Sequence, residues 1–129
     1  MIIAVDTCVL VDLQSGIISA ASLFLKEKLI KREVIVPLVV VTEFLSDPRA
    51  DKKHYHFLQG IKTLEIYDGY WLRAGELRRG LLQKGLKAKL GDALIAQACI
   101  DNNVPLLTRD EDFRHYAKHC DLQLVAALN

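Results

Sequence analysis

The sequence predicts an α/β fold in which a central, mainly parallel sheet is flanked by helices as a three-layer sandwich. Short apolar segments rich in valine and isoleucine alternate with longer amphipathic segments along the 129 residues. This alternation is typical of parallel sheets, because parallel strands need a crossover connection, which is usually a helix. The first such segment, "IIAV", is apolar at every position, as expected for a strand buried on both faces. We therefore expect one domain spanning residues 1–129.

The first half of the chain predicts two strands and four helices. In order, they are a strand at "IIAV", helices at "VLVDLQ" and "ISAASLFLKEKLIKR", a strand at "EVIVP", and helices at "LVVVTEFLSD" and over residues 52–62. Pro37 ends the second strand, because proline has no N–H to donate to a sheet. Three valines give the segment after Pro37 some strand propensity, but its length and its position after proline favour a helix.

The second half continues the alternation of strands and helices. In order, it predicts a strand at "LEIYD", helices at "GYWLRAGELRRGLLQKG" and "LGDALIAQACIDNN", a strand at "VPLLT", a helix at "RDEDFRHYAKH" and a last strand at "LQLV". Trp71 shares helical spacing with Leu77, so we expect Trp71 to pack in the core. The three cysteines form no close pair, which favours core positions over disulfides or a thiolate zinc site.

Composition excludes several classes of protein. The sequence has no apolar run of the roughly 18 residues that a membrane helix needs and no signal-peptide pattern, so we expect a cytoplasmic protein without a membrane partner. The net charge is +1, but residues 73–89 carry six basic residues against Glu76 alone, a local charge of +5. Such a segment either is a solvated helix face or holds a nucleic-acid backbone. The candidate RNA-binding residues are Arg73, Arg78, Arg79, Lys84, Lys87 and Lys89.

Carboxylates fall where strands end and helices begin. Asp6 follows the first predicted strand, and Asp110 comes two residues after Thr108 at the end of "VPLLT". Asp92 follows Gly91 at a helix start, where it can cap free N–H groups. Glu43 lies among valines and Phe44, an apolar setting in which we expect it to be paired. Because ligands bind outside the carboxyl ends of parallel strands, we expect these four acids to converge.

Four converging acids predict a divalent metal ion. Each acid alone can also be a cap, a turn residue or a solvated charge, but like charges at close range need a cation between them. Oxygen ligands without cysteine or histidine favour Mg²⁺ or Mn²⁺ over zinc. Mg²⁺ is commonly bound by carboxylates together with substrate phosphates, so the expected chemistry is hydrolysis of a phosphodiester bond. We also expect Asp→Asn changes at these positions to keep the fold and to stabilise the metal-free protein.

Taken in order, these segments resemble the PIN-domain ribonucleases, especially the VapC-like toxins of type II toxin–antitoxin pairs. The match lies in "IIAVDTCVLVDL", "VVVTEFL", "LGDALIAQAC" and "VPLLTRDEDF", and it covers almost the whole chain. The resemblance implies a PIN fold, Mg²⁺- or Mn²⁺-dependent cleavage of RNA, a cognate antitoxin and a homodimer. It assigns the catalytic acids as Asp6, Glu43, Asp92 and Asp110, the metal ligands as Asp6, Asp92, Asp110 and Asp112, and supporting hydroxyls to Thr7 and Thr108.

One departure from the family pattern concerns Cys8, which stands where the family often has a small polar residue. We therefore expect any hydrogen bond made there to be weakened or absent. The motif "TRDEDF" also leaves open whether Asp110 or Asp112 is the fourth acid.

Two other classes of protein remain as alternatives. A response-regulator module has a similar order of elements, but it needs an adjacent acid pair, a phosphoacceptor aspartate after the third strand and a lysine after the fifth, and Asp68 has no such lysine partner. A catalytically silent PIN domain that binds RNA or protein is the second alternative. The intact set of four acids argues against it.

Overall fold

The computed structural model describes residues 1–126, which form a four-stranded sheet flanked by helices. The strands are β1 (Ile3–Val5), β2 (Val34–Val36), β3 (Lys62–Thr63) and β4 (Leu106–Leu107). The helices are α1 (Thr7–Gln14), α2 (Ala20–Ile30), α3 (Leu38–Leu45), α4 (Lys52–Gln59), α5 (Tyr70–Gln83), α6 (Leu90–Asn102) and α7 (Phe113–His119). None of these helices combines the length and the apolar character needed to cross a bilayer. The predicted α/β fold class is confirmed.

The sheet has the strand order β3-β2-β1-β4, and every pair is parallel. β1 is central, with Ala4 opposite Ile35 of β2 on one side and Leu106 of β4 on the other. Successive strand residues point to opposite faces of a sheet. Ile3, Ala4 and Val5 are all fully buried, so both faces are covered, as the three-layer sandwich requires. The carboxyl ends of β1, β2 and β4 consequently meet at one edge.

Two predicted strands differ from the structure. The segment "LEIYD" is not a strand: β3 precedes it at the sheet edge, and only Leu64 of that segment is buried, donating from its backbone N–H to Val36 O at 3.0 Å. The last predicted strand, "LQLV", is reduced to a single parallel bridge between Leu124 and Leu106. The helix ends that differ most from the prediction are the end of α4, at Gln59, and the start of α7, at Phe113.

The prediction that Trp71 packs in the core is wrong. Trp71 is 65% exposed, whereas its neighbour Tyr70 is 3% exposed. The buried stripe of α5 runs through Tyr70, Ala74 and Leu81, with Leu77 partly buried beside them. Trp71 lies one residue, or about 100° of helical turn, away from that stripe and therefore faces solvent.

Candidate metal centre

Backbone geometry brings the acids to the carboxyl edge of the sheet. Asp6 directly follows β1 and is the N-cap of α1, where its Oδ1 accepts a hydrogen bond from Thr7 N at 2.8 Å. Asp110 follows β4 after a two-residue connection. Asp92 is the third residue of α6, whose N-cap is Lys89, so the prediction that Asp92 caps this helix is wrong. Its place in the first turn nevertheless directs it to the same edge, where a helix N-terminus favours negative charge.

Three aspartates form the closest group of acids. Asp92, Asp110 and Asp112 each offer a carboxylate oxygen, and these atoms lie within 4.8 Å of one another. Asp112 N also donates to Asp110 Oδ1 at 2.9 Å, which fixes the two acids of the "TRDEDF" segment relative to each other. Both of the alternatives that the sequence left open, Asp110 and Asp112, therefore lie beside Asp92.

Thr108 connects Asp6 to this group. Its hydroxyl donates to Asp6 Oδ2 at 2.7 Å and accepts from Asp110 N at 3.0 Å. The Thr108 side chain, just after β4, thus orients a carboxylate at the end of β1. It also orients the backbone of residues 109–112, the acidic loop between β4 and α7.

The Cys8 thiol also contacts Asp6. Cys8 Sγ donates to Asp6 Oδ2 at 3.3 Å and lies 3.8 Å from Thr108 Oγ1. Burial, with the negative charge of Asp6, raises the pKa of the thiol to about 11. The thiol therefore remains protonated at neutral pH and donates a weak hydrogen bond, which agrees with the expectation that a hydrogen bond at this position is weakened.

Glu43 is exposed, and the prediction of an apolar setting for it is wrong. On α3 the apolar neighbours Val40 and Phe44 point into the core, while the Glu43 side chain lies beside Thr7 and Gly91. Thr7 Oγ1 donates to Glu43 Oε1 at 2.7 Å. Gly91 permits the close approach of α6, because a Cβ at that position would lie 3.2 Å from Glu43 Oε2.

The pKa of Asp92 is raised by its surroundings. Burial, together with the charges of Asp110, Asp6 and Glu43, raises the pKa of Asp92 to about 6 against the opposing effect of Lys89. Among residues 1–126, Asp92 Oδ2 is one of the buried side-chain atoms that lack a hydrogen-bond partner. A buried, unpartnered oxygen in a group of carboxylates fits a hard divalent cation such as Mg²⁺ or Mn²⁺.

Asp92→Asn is expected to raise the melting temperature of the metal-free protein, and by more at pH 7 than at pH 4. Folding raises the pKa of Asp92 from 3.8 to about 6, so the folded protein binds that proton more tightly. The stability gained from protonated Asp92 is complete below about pH 4 and is lost as the pH rises through about 6. Asparagine stays neutral throughout. Melting curves in EDTA across this range test the prediction, and a difference that does not widen with pH contradicts it.

The candidate RNA-binding cations divide into two groups. Lys87 Nζ lies 3.5 Å from Asp112 Oδ2, and Lys89 lies close enough to lower the pKa of Asp92, so both border the acids. Arg73 instead pairs with Asp101 at 2.6 Å, near the opposite end of α6. Arg78 Nε donates to Ala88 O at 2.8 Å. Arg79 lines a groove between α5 and α6, and Lys84 is exposed after α5.

The ion pair of Lys87 with Asp112 was not predicted from the sequence. The two residues are far apart in the chain, and the excess of positive charge in residues 73–89 was the only signal that a cation borders the acids.

A family model described as "PIN domain" matches residues 3–119. The chain belongs to the PIN domain family. The match includes all five acids of the site. No curated protein matches the sequence.

Solved structures share the fold of this PIN domain. VapBC2 from Rickettsia felis, in a structure bound to a DNA fragment from the VapBC2 promoter, aligns with a TM-score of 0.73 and 21% identity. The alignment covers 97% of this chain and 98% of that one. VapBC-1 from nontypeable Haemophilus influenzae aligns with a TM-score of 0.75 and 16% identity over 97% of each chain. FitAcB from Neisseria gonorrhoeae aligns with a TM-score of 0.71 and 16% identity over 95% and 96%.

Proposed function

We propose that this PIN domain is a Mg²⁺- or Mn²⁺-dependent endoribonuclease that acts in the cytoplasm as the toxin of a toxin–antitoxin pair. The observation that carries the proposal is the group formed by Asp92, Asp110 and Asp112, with Asp6 joined to it through Thr108. VapBC2 and VapBC-1 carry the name of the VapBC family of toxin–antitoxin systems, which supports an antitoxin as partner.

The acids have separate roles in this proposal. Asp92, Asp110, Asp112 and Asp6 hold the cation, which when bound supplies positive charge to phosphate oxygens and activates water for hydrolysis. The Thr108 hydroxyl fixes the position of Asp6 relative to the acidic loop. Glu43 is exposed, and Thr7 orients its carboxylate. In this proposal Glu43 accepts the proton of the attacking water.

Lys87 and Lys89 are the cations proposed to hold the RNA backbone near the acids. The Lys87 side chain is 62% exposed and its distance of 3.5 Å from Asp112 Oδ2 is long for an ion pair, so a phosphate can compete for it. Arg73 is not included, because Asp101 and the carbonyl of Asp68 already occupy its guanidinium group.

The apolar groove between α5 and α6 is the proposed homodimer interface. It has a volume of about 600 Å³. Trp71 and Leu90 line it, and both are more than half exposed. Large exposed apolar side chains grouped in this way mark surfaces that another protein covers. The second copy that the family resemblance implies is the occupant we propose.

Cleavage of labelled single-stranded RNA by the purified protein tests the proposed activity. We expect cleavage with Mg²⁺ or Mn²⁺ and none with EDTA, and little cleavage of DNA of the same sequence. RNA binding without cleavage would favour the silent binding module instead. Growth arrest on expression, relieved by the protein encoded immediately upstream, would support the toxin–antitoxin assignment.

Thr108→Val is expected to lower the cleavage rate by about 10- to 100-fold, as the loss of a group that orients ligands does. Valine keeps the shape but removes the donor to Asp6 and the acceptor for Asp110 N. Thr63→Val, an exposed change on β3, is the matched control and should leave the rate unchanged. A Thr108 variant as active as the control would show that Asp6 needs no orientation by Thr108.

A further inference from the structure

Two buried polar atoms are unpartnered in the described part of the chain, and they belong to residues of adjacent helices. Over residues 1–126, these buried side-chain atoms without a hydrogen-bond partner are Asp92 Oδ2 and the Tyr116 hydroxyl. Tyr116 is fully buried. Buried hydroxyls are almost always hydrogen-bonded, to protein or to an enclosed water molecule.

Chain position, helix packing and electrostatics together indicate that the Tyr116 hydroxyl lies near Asp92. Tyr116 lies four residues after Asp112, the N-cap residue of α7, and the side chains of a helix lean toward its N-terminus. The Asp112 carboxylate in turn lies within 4.8 Å of the carboxylate of Asp92, and α7 packs against α6. Burial raises the pKa of Tyr116, and the charge of Asp92 is the largest electrostatic contribution to that rise. The hydroxyl therefore remains a donor at neutral pH and lies in the field of this carboxylate.

We propose that Tyr116 is a positioning residue for the metal centre, whose hydroxyl donates to Asp92 Oδ2 through one enclosed water molecule. A carboxylate has about four acceptor positions, so Asp92 can accept this hydrogen bond and still hold a cation. A donor behind a ligating carboxylate fixes its orientation and favours its ionised form. This inference rests on the proposed function, in which Asp92 holds the divalent cation.

Tyr70, on α5, provides a matched control that also packs against α6. Its hydroxyl is also buried and also faces α6, but it donates to the backbone carbonyl of Leu94 at 2.6 Å. Tyr70→Phe therefore removes a buried tyrosine hydroxyl and a contact with α6, without removing a donor to Asp92.

Calorimetric titration with Mn²⁺ alone tests the proposal without any assay of activity. We expect Tyr116→Phe to raise the Kd for Mn²⁺ by about tenfold and Tyr70→Phe to leave it within twofold of the wild type, although Tyr70→Phe lowers the melting temperature. Equal Kd values for Tyr116→Phe and the wild type would overturn the role of Tyr116. An equal rise in both variants would show a general loosening of α6 and would also overturn it.

The same titration separates this inference from the proposed function. If the wild type does not bind Mn²⁺, the metal centre itself is wrong; if it binds and Tyr116→Phe binds equally, only the role of Tyr116 is wrong. Should Tyr116→Phe not fold, 3-fluorotyrosine at position 116 of the otherwise native chain provides a second measurement. Its ¹⁹F signal should shift on addition of Mg²⁺ while the signal of the same label at position 70 stays in place, and no shift at position 116 would contradict the proposal.

Discussion

Asp92→Asn is expected to lower the rate of RNA cleavage by between about 100- and 1,000-fold, the usual loss when a charged group acting on the transition state is removed. The aspartate lies in the centre of the group, since Asp110, Asp6 and Glu43 all contribute to the rise of its pKa. Asparagine keeps the shape of the side chain and removes the charge that a divalent cation needs. Cleavage rates at saturating Mg²⁺ measure the loss of catalysis, and rates at limiting Mg²⁺ also include the loss of cation binding.

Asp68→Asn is the control for this prediction, because Asp68 is exposed and lies outside the acidic group. It should cleave at the wild-type rate. If Asp92→Asn retains more than about a tenth of the wild-type rate, Asp92 does not hold the cation. The measured melting temperature of this variant, which we expect to rise, distinguishes a loss of activity from a loss of the fold.

The same substitution at Asp6 is expected to behave differently. Asp6 accepts hydrogen bonds from Thr7 N, Thr108 Oγ1 and Cys8 Sγ. An asparagine amide would place an N–H against one of these donors. We therefore expect Asp6→Asn to lower the melting temperature, in contrast to the stabilisation that the sequence analysis predicted for Asp→Asn changes in the acidic group.

Trp71→Asp is expected to convert a dimer into a monomer and to raise the dimer dissociation constant by at least about 100-fold, as the loss of a central interface aromatic does. Trp71 is 65% exposed and lines the groove between α5 and α6. It is the second residue of α5, where an aspartate is favourable near the helix N-terminus, so the variant should fold.

Sedimentation velocity over a range of concentrations measures this change. Tyr55→Asp is the control, since Tyr55 is a similarly exposed aromatic residue, at 58%, on α4 and outside the groove. It should leave the assembly unchanged. A wild type that is monomeric, or a Trp71 variant that still dimerises, would contradict the proposed interface.

Continuous apolar runs explain why the central strands were predictable and the edge strand was not. β1 is buried on both faces and β2 is buried except at Ile35, which is partly buried, so their sequences contain only apolar residues. β3 consists of Lys62 and Thr63, both exposed, and carries no such signal. The apolar residues of "LEIYD" gave a false one, because only Leu64 of that segment packs inward.

The acids of the site were predictable for a different reason. In a parallel sheet the residue after a strand must lie at the carboxyl edge, whatever the details of packing, and this placed Asp6 and Asp110. The side on which a helix faces the core is decided by tertiary packing. The sequence analysis therefore predicted the wrong surroundings for Glu43 and Trp71 and did not single out Tyr116. The surroundings of each residue depend on the rotation of one helix against its neighbours.

The pairing of the first strand with the last one has a consequence for biosynthesis. β1 leaves the ribosome before β4 and the acidic loop that follows β4, because six helices and two strands lie between them in the chain. A nascent chain therefore possesses Asp6 without Thr108, Asp110 or Asp112, and it has no complete centre with which to cut the RNA around it. Under the proposed function, the order of strands delays the nuclease until β4 and the loop after it have been synthesised.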